Sequence, residues 1–341
     1  MRSYLEVNIN TLIENYQNIR KYLNKEIIAV VKSNAYGHGI IKITETLVQQ
    51  GVNSFFVATL DEAYTLRKYF NHINILLLEP AKDFKRLYAN RITLCVTSKE
   101  YLKEIIDSKL PFRIHLKIET GLNRLGIQNN DLNEIVDSIK RNKLILKGVF
   151  THLSSTNEYK NHYTKFKTAL KYFNDFKNIQ IHINSSSYIF KDDISTHYRI
   201  GLALYGLINI AYLNLKPILT LKSPIIRVIS VKENTYVGYH NIGIIKENGY
   251  LYTIPLGYAD GWIKSRLTLG YTNNIYFKQV GETCMDNLML FSTKKINYGD
   301  EIEIISKNID ILNLSVFYKE SIYQICSLLS PRLERRYIYH D

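Results

Sequence analysis

Glu26-Ile-Ile-Ala-Val-Val-Lys-Ser-Asn-Ala-Tyr-Gly-His-Gly39 is the stretch from which the rest of the chain can be read. Residues 27–31 are uninterruptedly apolar, the pattern of a strand covered on both faces, as in parallel sheets. The run ends on Lys32, and an ammonium group is seldom buried without a partner. Ser33, Asn34, Gly37 and Gly39 then supply turn chemistry that lets the backbone approach something closely. The apolar-periodic segment 40–48 reads as a helix. Two readings of Lys32 are open from these residues alone. It can snorkel at a strand end, or it can be a desolvated amine of lowered pKa, able to form a Schiff base with a carbonyl cofactor.

Outward from this strand, apolar runs alternate with amphipathic segments. On the N-terminal side Thr11 and Glu14 form a capping-box pattern, opening a helix whose apolar face is Leu12, Ile13, Tyr16, Ile19 and Leu23. Strands are expected near 27–32, 54–59, 73–78, 92–97, 112–119, 146–152, 179–184 and 197–201. Helical patterns lie between them, as at 61–70, 98–108, 131–140 and 162–176. This alternation fits an α/β fold, a (β/α)8 TIM-type barrel. A doubly wound sheet is the alternative, but no G-x-G-x-x-G follows the first strand.

The pattern changes around 216–224. Beyond it β-rich runs at 225–231, 251–254, 274–280 and 301–305 are separated by turns, with one helical exception at 316–329. The expected division is a barrel over 1–221 and a mainly β domain over 222–341.

The 341 residues leave room for two such domains, each with a core, and 46% hydrophobic with 22% charged residues is a globular composition. No run approaches the ~18 apolar residues of a membrane span. The first six residues lack the apolar core of a signal peptide. Cys95, Cys284 and Cys326 are too widely spaced for a disulfide framework or a metal site. A cytoplasmic enzyme without membrane or metal is the simplest fit. The net charge of +13 raises nucleic acid as a partner, but the Lys and Arg are scattered, with no basic tail.

In a barrel, function belongs at the C-terminal strand ends. Polar residues recur there: Lys32 after the first strand, Lys117 and then Arg124 after the fifth, His152 after the sixth, Asn184 and Ser185 after the seventh, Arg199 in the eighth. Each has a bland explanation. His152 can be a hydrogen-bonded core histidine, Arg199 a strand-end ion pair, and Asn184 or Ser185 a helix cap. Barrel closure would nonetheless aim them all at one place.

The wording from Ala29 to Gly39 closely resembles the signature of the alanine racemase family, and islands at 115–126, 148–153, 182–185, 199–206, 254–261 and 283–287 extend the resemblance over almost the full chain. It implies pyridoxal 5'-phosphate (PLP) carried by Lys32. Tyr36, Ser185, Gly201, the backbone at Leu202 and Tyr323 match positions at the cofactor phosphate, and Asn184 matches a cofactor-binding position. Arg199 matches the arginine facing the pyridine nitrogen, where a permanent cation disfavours ring protonation and weakens the electron sink. His152 matches a residue of the same hydrogen-bond network. Arg124 matches an arginine near the substrate carboxylate, and Lys117 a lysine that is carbamylated in some members.

In the second domain Tyr239 matches the second catalytic base, reaching the active site of the other subunit. Tyr258 matches a tyrosine at the substrate entrance, and the Met285 backbone, with Asp286 beside it, matches a substrate-carboxylate contact. Four departures stand out: Glu119 for Asp, Leu122 for Met, His240 for Gly and Glu282 for Arg.

The resemblance implies a homodimer with shared active sites that interconverts L-alanine and D-alanine, Lys32 and Tyr239 acting on opposite faces, and supplies D-alanine for peptidoglycan. A racemase of another or broader range, serine or lysine included, is the alternative, and a non-catalytic PLP-binding barrel is a further one.

Overall fold

The first strand of the chain does not belong to the barrel. In the computed structural model, which describes residues 1–154, 157–183, 185, 186, 189 and 192–339, β1 (Tyr4–Asn8) lies in the C-terminal sheet. It pairs antiparallel with β10 (Leu219–Pro224) and parallel with β19 (Glu334–Ile338). The boundary expected at 221/222 therefore falls inside β10. Both ends of the chain meet in one sheet.

Asn8 ends β1 and caps α1 (Ile9–Leu23), its side chain accepting from Thr11 N at 3.0 Å. The helix thus begins before the Thr11–Glu14 pattern that seemed to mark its start. Its expected face is kept, with Leu12, Tyr16, Ile19 and Leu23 buried. Burial stabilises each such side chain by roughly 1.5–3 kcal/mol.

Eight parallel strands follow: β2 (Glu26–Val30), β3 (Ser54–Val57), β4 (Asn74–Leu77), β5 (Thr93–Val96), β6 (Arg113–Lys117), β7 (Ile145–Phe150), β8 (Gln180–His182) and β9 (His197–Ile200). Their order is sequential, β2 also pairs with β9, and Thr196 N donates to Ile181 O at 2.9 Å across the remaining seam. All eight expected strands are present. Outside them run α3 (Ile40–Gln49), α4 (Leu60–Tyr69), α5 (Phe84–Ala89), α6 (Lys99–Asp107), α7 (Leu132–Arg141) and α8 (Tyr159–Leu170), while α2 (Lys32–Tyr36) is a single turn.

Strand side chains alternate between two faces, and here the two faces differ. One joins the main core under the helices; the other carries a small separate cluster of Ile28, Phe56, Leu76, Cys95 and Phe150. On this inner side the later strands carry His115, His182 and Arg199. His182 stacks on Phe150, and the Arg199 guanidinium lies over the same ring. A Cβ at Gly148 would stand 2.4 Å from His115 Cε1, so glycine makes room for that imidazole.

The C-terminal sheet has the order β11-β14-β17-β16-β15-β18-β10-β1-β19, built from β11 (Arg227–Val231), β14 (Gly249–Ile254), β15 (Leu269–Thr272), β16 (Ile275–Gln279), β17 (Leu288–Ser292) and β18 (Glu301–Ile305) with the strands already placed. A small hairpin, β12 (Tyr236–Val237) with β13 (Gly243–Ile244), stands apart. The helix expected over 316–329 is two: α9 (Ile311–Tyr318) and α10 (Ile322–Ser327), separated where Lys319 turns left-handed at φ 56°.

Candidate active site

Lys32 is followed by four successive residues wound left-handed, Ser33 to Tyr36, each with φ of 52–53°. L-residues disfavour this by roughly 1–2 kcal/mol each, so other contacts must hold the turn. Ala35 N donates to Val31 O at 2.8 Å and Gly37 N to Ser33 O at 3.0 Å. The Glu62 carboxylate, at the start of α4, accepts from Ser33 N at 2.5 Å and Ala58 N at 2.9 Å. Asn34 Oδ1 accepts from Ile40 N, capping α3.

The C-terminal unit closes over this turn. Arg335 Nε donates to Gly37 O at 3.1 Å, and Gly37, at φ 82°, leaves no room for a Cβ beneath Cys326 O. Tyr36 then lies between Tyr205 and Tyr323, with ring centroids 5.3 and 5.8 Å away.

A cavity of about 500 Å³ opens at these strand ends. Lys32, Tyr36, Lys117, Arg124, His152, Ser185, Arg199, Gly201, Leu202 and Tyr323 all line it, so ten residues singled out in the sequence converge. Asn184 lies outside the described residues. Burial pushes the Lys32 amine below its ordinary pKa, and the Arg124 cation adds to this. Lys117 is pushed down to about 8, again by burial first and Arg124 second. Two amines in one cavity are therefore easier to deprotonate than ordinary lysines.

Arg199 is 4% exposed and is held mainly by carbonyls: His182 O at 2.8 Å and Thr151 O at 2.7 Å accept from it. It also donates to His182 Nδ1 at 2.7 Å. Among the described residues no carboxylate pairs with it. His152 Nδ1 lies 3.4 Å from its Nη2; burial, with the Arg199 charge next, pushes His152 down to about 3. Its imidazole is neutral at neutral pH.

Four contributors were not singled out in the sequence as site residues. His115 and His182 form a buried chain behind Arg199, 2.9 Å apart; the signal was their place among inward-facing strand positions. Ser186 lines the cavity, its Oγ accepting from Gly201 N at 2.9 Å and Ala203 N at 3.2 Å. Glu62, which holds the turn, had no signal near Lys32.

Apart from Tyr323, the C-terminal candidates do not line this cavity. Tyr239, beyond the Gly238 bend of the β12–β13 hairpin, is 73% exposed. Tyr258 and Met285 are also exposed and belong to neighbouring backbone segments: Tyr258 N donates to Cys284 O at 3.1 Å and Ala259 N to Met285 O at 2.9 Å. Asp286 pairs with Arg332 at 2.7 Å. His240 adopts φ 56°, the left-handed region where His and Asn are tolerated better than most residues. Glu282 is held by Arg266 through two contacts, 3.0 Å at Nε and 2.6 Å at Nη2, so its charge is answered locally.

A parallel barrel with a partly desolvated lysine at a strand end, a buried arginine across the cavity and a β-rich companion unit defines a two-part enzyme built around a reactive amine. The chain belongs to the alanine racemase family: the family's N-terminal domain matches residues 7–209 and its C-terminal domain residues 218–337. It is similar to the alanine racemase of Staphylococcus epidermidis, with 32% identity covering 99% of this chain and 95% of the relative. Among solved structures it is similar to alanine racemase from Clostridium difficile 630, with TM-score 0.93 and 25% identity over 99% of this chain and 96% of that one. The structure of alanine racemase from Bartonella henselae with covalently bound pyridoxal phosphate has TM-score 0.89 and 25% identity, covering 99% of this chain and all of that one.

Proposed function

We propose that this protein is a PLP-dependent alanine racemase that interconverts L-alanine and D-alanine. The observation that carries the reading is Lys32: an amine pushed down in pKa, on a strained and clamped turn, in one cavity with Arg124 and Arg199.

The residues present fit PLP. Lys32 offers the amine, and Arg199 a buried cation that no carboxylate among the described residues pairs with. The far wall offers a small-residue cradle. A Cβ at Gly201 would stand 3.0 Å from Tyr36 Oη, so glycine keeps that corner open beside Ser186 and Leu202. Backbone N–H groups at Gly201 and Ala203 converge on the Ser186 hydroxyl, and such convergence suits a phosphate. Bound PLP supplies the electron sink that makes the substrate Cα proton acidic.

The chain's own groups handle that proton. Lys32 works on one face. On the other we place Tyr239 of the partner subunit, because racemisation without a swinging base needs a second group opposite the first. The exposure of Tyr239, Tyr258 and Met285 supports this, since they are free to meet a second copy. Arg124 and the Met285 backbone, with Asp286 beside it, orient the substrate carboxylate, and Tyr258 lines the substrate entrance. The lowered pKa of Lys117 leaves a larger neutral fraction open to carbamylation, and the resulting anion would be drawn to Arg124. The homodimer works in the cytoplasm, where three unpaired thiols persist, and supplies D-alanine for peptidoglycan.

The test is conversion of L-alanine to D-alanine by the purified protein with PLP, beside serine, lysine and arginine. Turnover of alanine above lysine and arginine supports the reading. Cofactor bound with alanine untouched overturns it.

A further inference from the structure

The cavity wall carries a polar chain that the chemistry above leaves unused. His162, on α8, is 2% exposed, and both ring nitrogens meet hydroxyls. Nε2 lies 2.7 Å from Ser154 Oγ, and Nδ1 lies 2.9 Å from Thr120 Oγ1. Thr120 Oγ1 in turn lies 2.8 Å from Thr151 Oγ1. Thr120, Thr151 and His162 are buried, whereas Ser154 lines the cavity two residues beyond His152. The backbone is shaped around the imidazole: a Cβ at Gly121 would stand 2.6 Å from His162 Cε1.

The chain has two proton arrangements. In one, Thr151 donates to Thr120, Thr120 donates to Nδ1, and Nε2–H donates to Ser154. The Ser154 proton is then free to donate into the cavity. In the other, Nδ1–H donates to Thr120, Thr120 donates to Thr151, and Ser154 donates to Nε2. The Ser154 lone pairs then accept from the cavity. Both arrangements keep the buried imidazole paired on both sides, which avoids leaving a buried polar group unsatisfied. Ser154 can therefore donate or accept as a ligand requires. Another hydroxyl matches such a group, and a methyl uses neither capacity.

We propose that Ser154, held by buried His162, is a specificity-determining contact that extends the substrate range of this cavity from alanine to amino acids bearing a side-chain hydroxyl, the serine class. The proposal rests on the racemase reading.

The test compares kcat/KM for L-serine and L-alanine in the PLP-loaded parent, S154A and H162Q, together with the ratio of the two amino acids' dissociation constants by calorimetry. The parent racemises serine, and S154A lowers the serine-to-alanine ratio about tenfold in both readouts. H162Q lowers it in the same direction, because the hydroxyl loses its anchor. A ratio in S154A within about twofold of the parent overturns the proposal. A fall in S154A but none in H162Q overturns the part assigned to the imidazole. Alanine turnover without measurable serine turnover in the parent overturns the substrate class alone. Turnover of neither overturns the racemase reading itself, and this proposal with it.

Discussion

Arg199 donates through Nη1 to His182 Nδ1 at 2.7 Å, and that one bond sets the protonation of everything behind it. A guanidinium only donates, so His182 Nδ1 must accept and its proton sits on Nε2. Nε2–H then donates to His115 Nδ1 at 2.9 Å, leaving the His115 proton on Nε2. Charging His182 would place a proton at Nδ1 against the guanidinium. Burial and that cation accordingly hold His182 well below the ordinary histidine range.

Removing the cation is the first prediction. Arg199→Met keeps much of the bulk but leaves Thr151 O and His182 O without these donors. The variant should be destabilised by about 3 kcal/mol, read from urea unfolding midpoints. An unchanged midpoint would mean that the two carbonyls find other donors.

Acid stability should depend on the same chain. His115 and His152 are both pushed down to about 3, chiefly by burial. Their folded pKa values lie below the unfolded value of 6.5, so between about pH 3 and 6.5 the unfolded chain binds more protons. Stability therefore rises with pH across that window and is lost on acidification, by up to about 1.4 kcal/mol per pH unit for each histidine. His115→Gln should flatten the slope between pH 6 and 5 by about one such increment. Parallel slopes in the two proteins would refute the assignment.

The left-handed turn gives a third prediction. Glu62→Ala removes the acceptor of Ser33 N and Ala58 N, so the strain after Lys32 loses its clamp. We expect about 1–3 kcal/mol less stability and a larger loss of kcat/KM than of cofactor retention. Full activity in Glu62→Ala would show that the remaining hydrogen bonds hold the turn unaided.

How much of this was legible beforehand varies with the physics of each part. The barrel strands were readable because burial on both faces writes continuous apolar runs such as 27–31. β1 was not, since its five residues pair with partners more than two hundred positions away and carry no local signal. Asn8 took the cap that Thr11 seemed to offer, and Lys319 broke a helix with neither Gly nor Pro to announce it. Within the cavity, strand-end residues could be named because barrel topology brings them together. Glu62 could not, because its role exists only once α4 is docked against the turn. Exposed residues such as Tyr239 make few contacts in their own chain, so resemblance alone singled them out.

Each proposed active site is completed by two chains, and mixing two inactive variants tests this directly. Lys32→Ala lacks the amine and Tyr239→Phe the opposing hydroxyl; each alone should lose at least about 10²-fold in activity. In a hybrid dimer the intact Lys32 of one chain would meet the intact Tyr239 of the other at one of the two sites. Random subunit exchange in an equal mixture should therefore restore about a quarter of the parent activity. A mixture as inactive as its components, with hybrids demonstrably formed, would contradict the shared site.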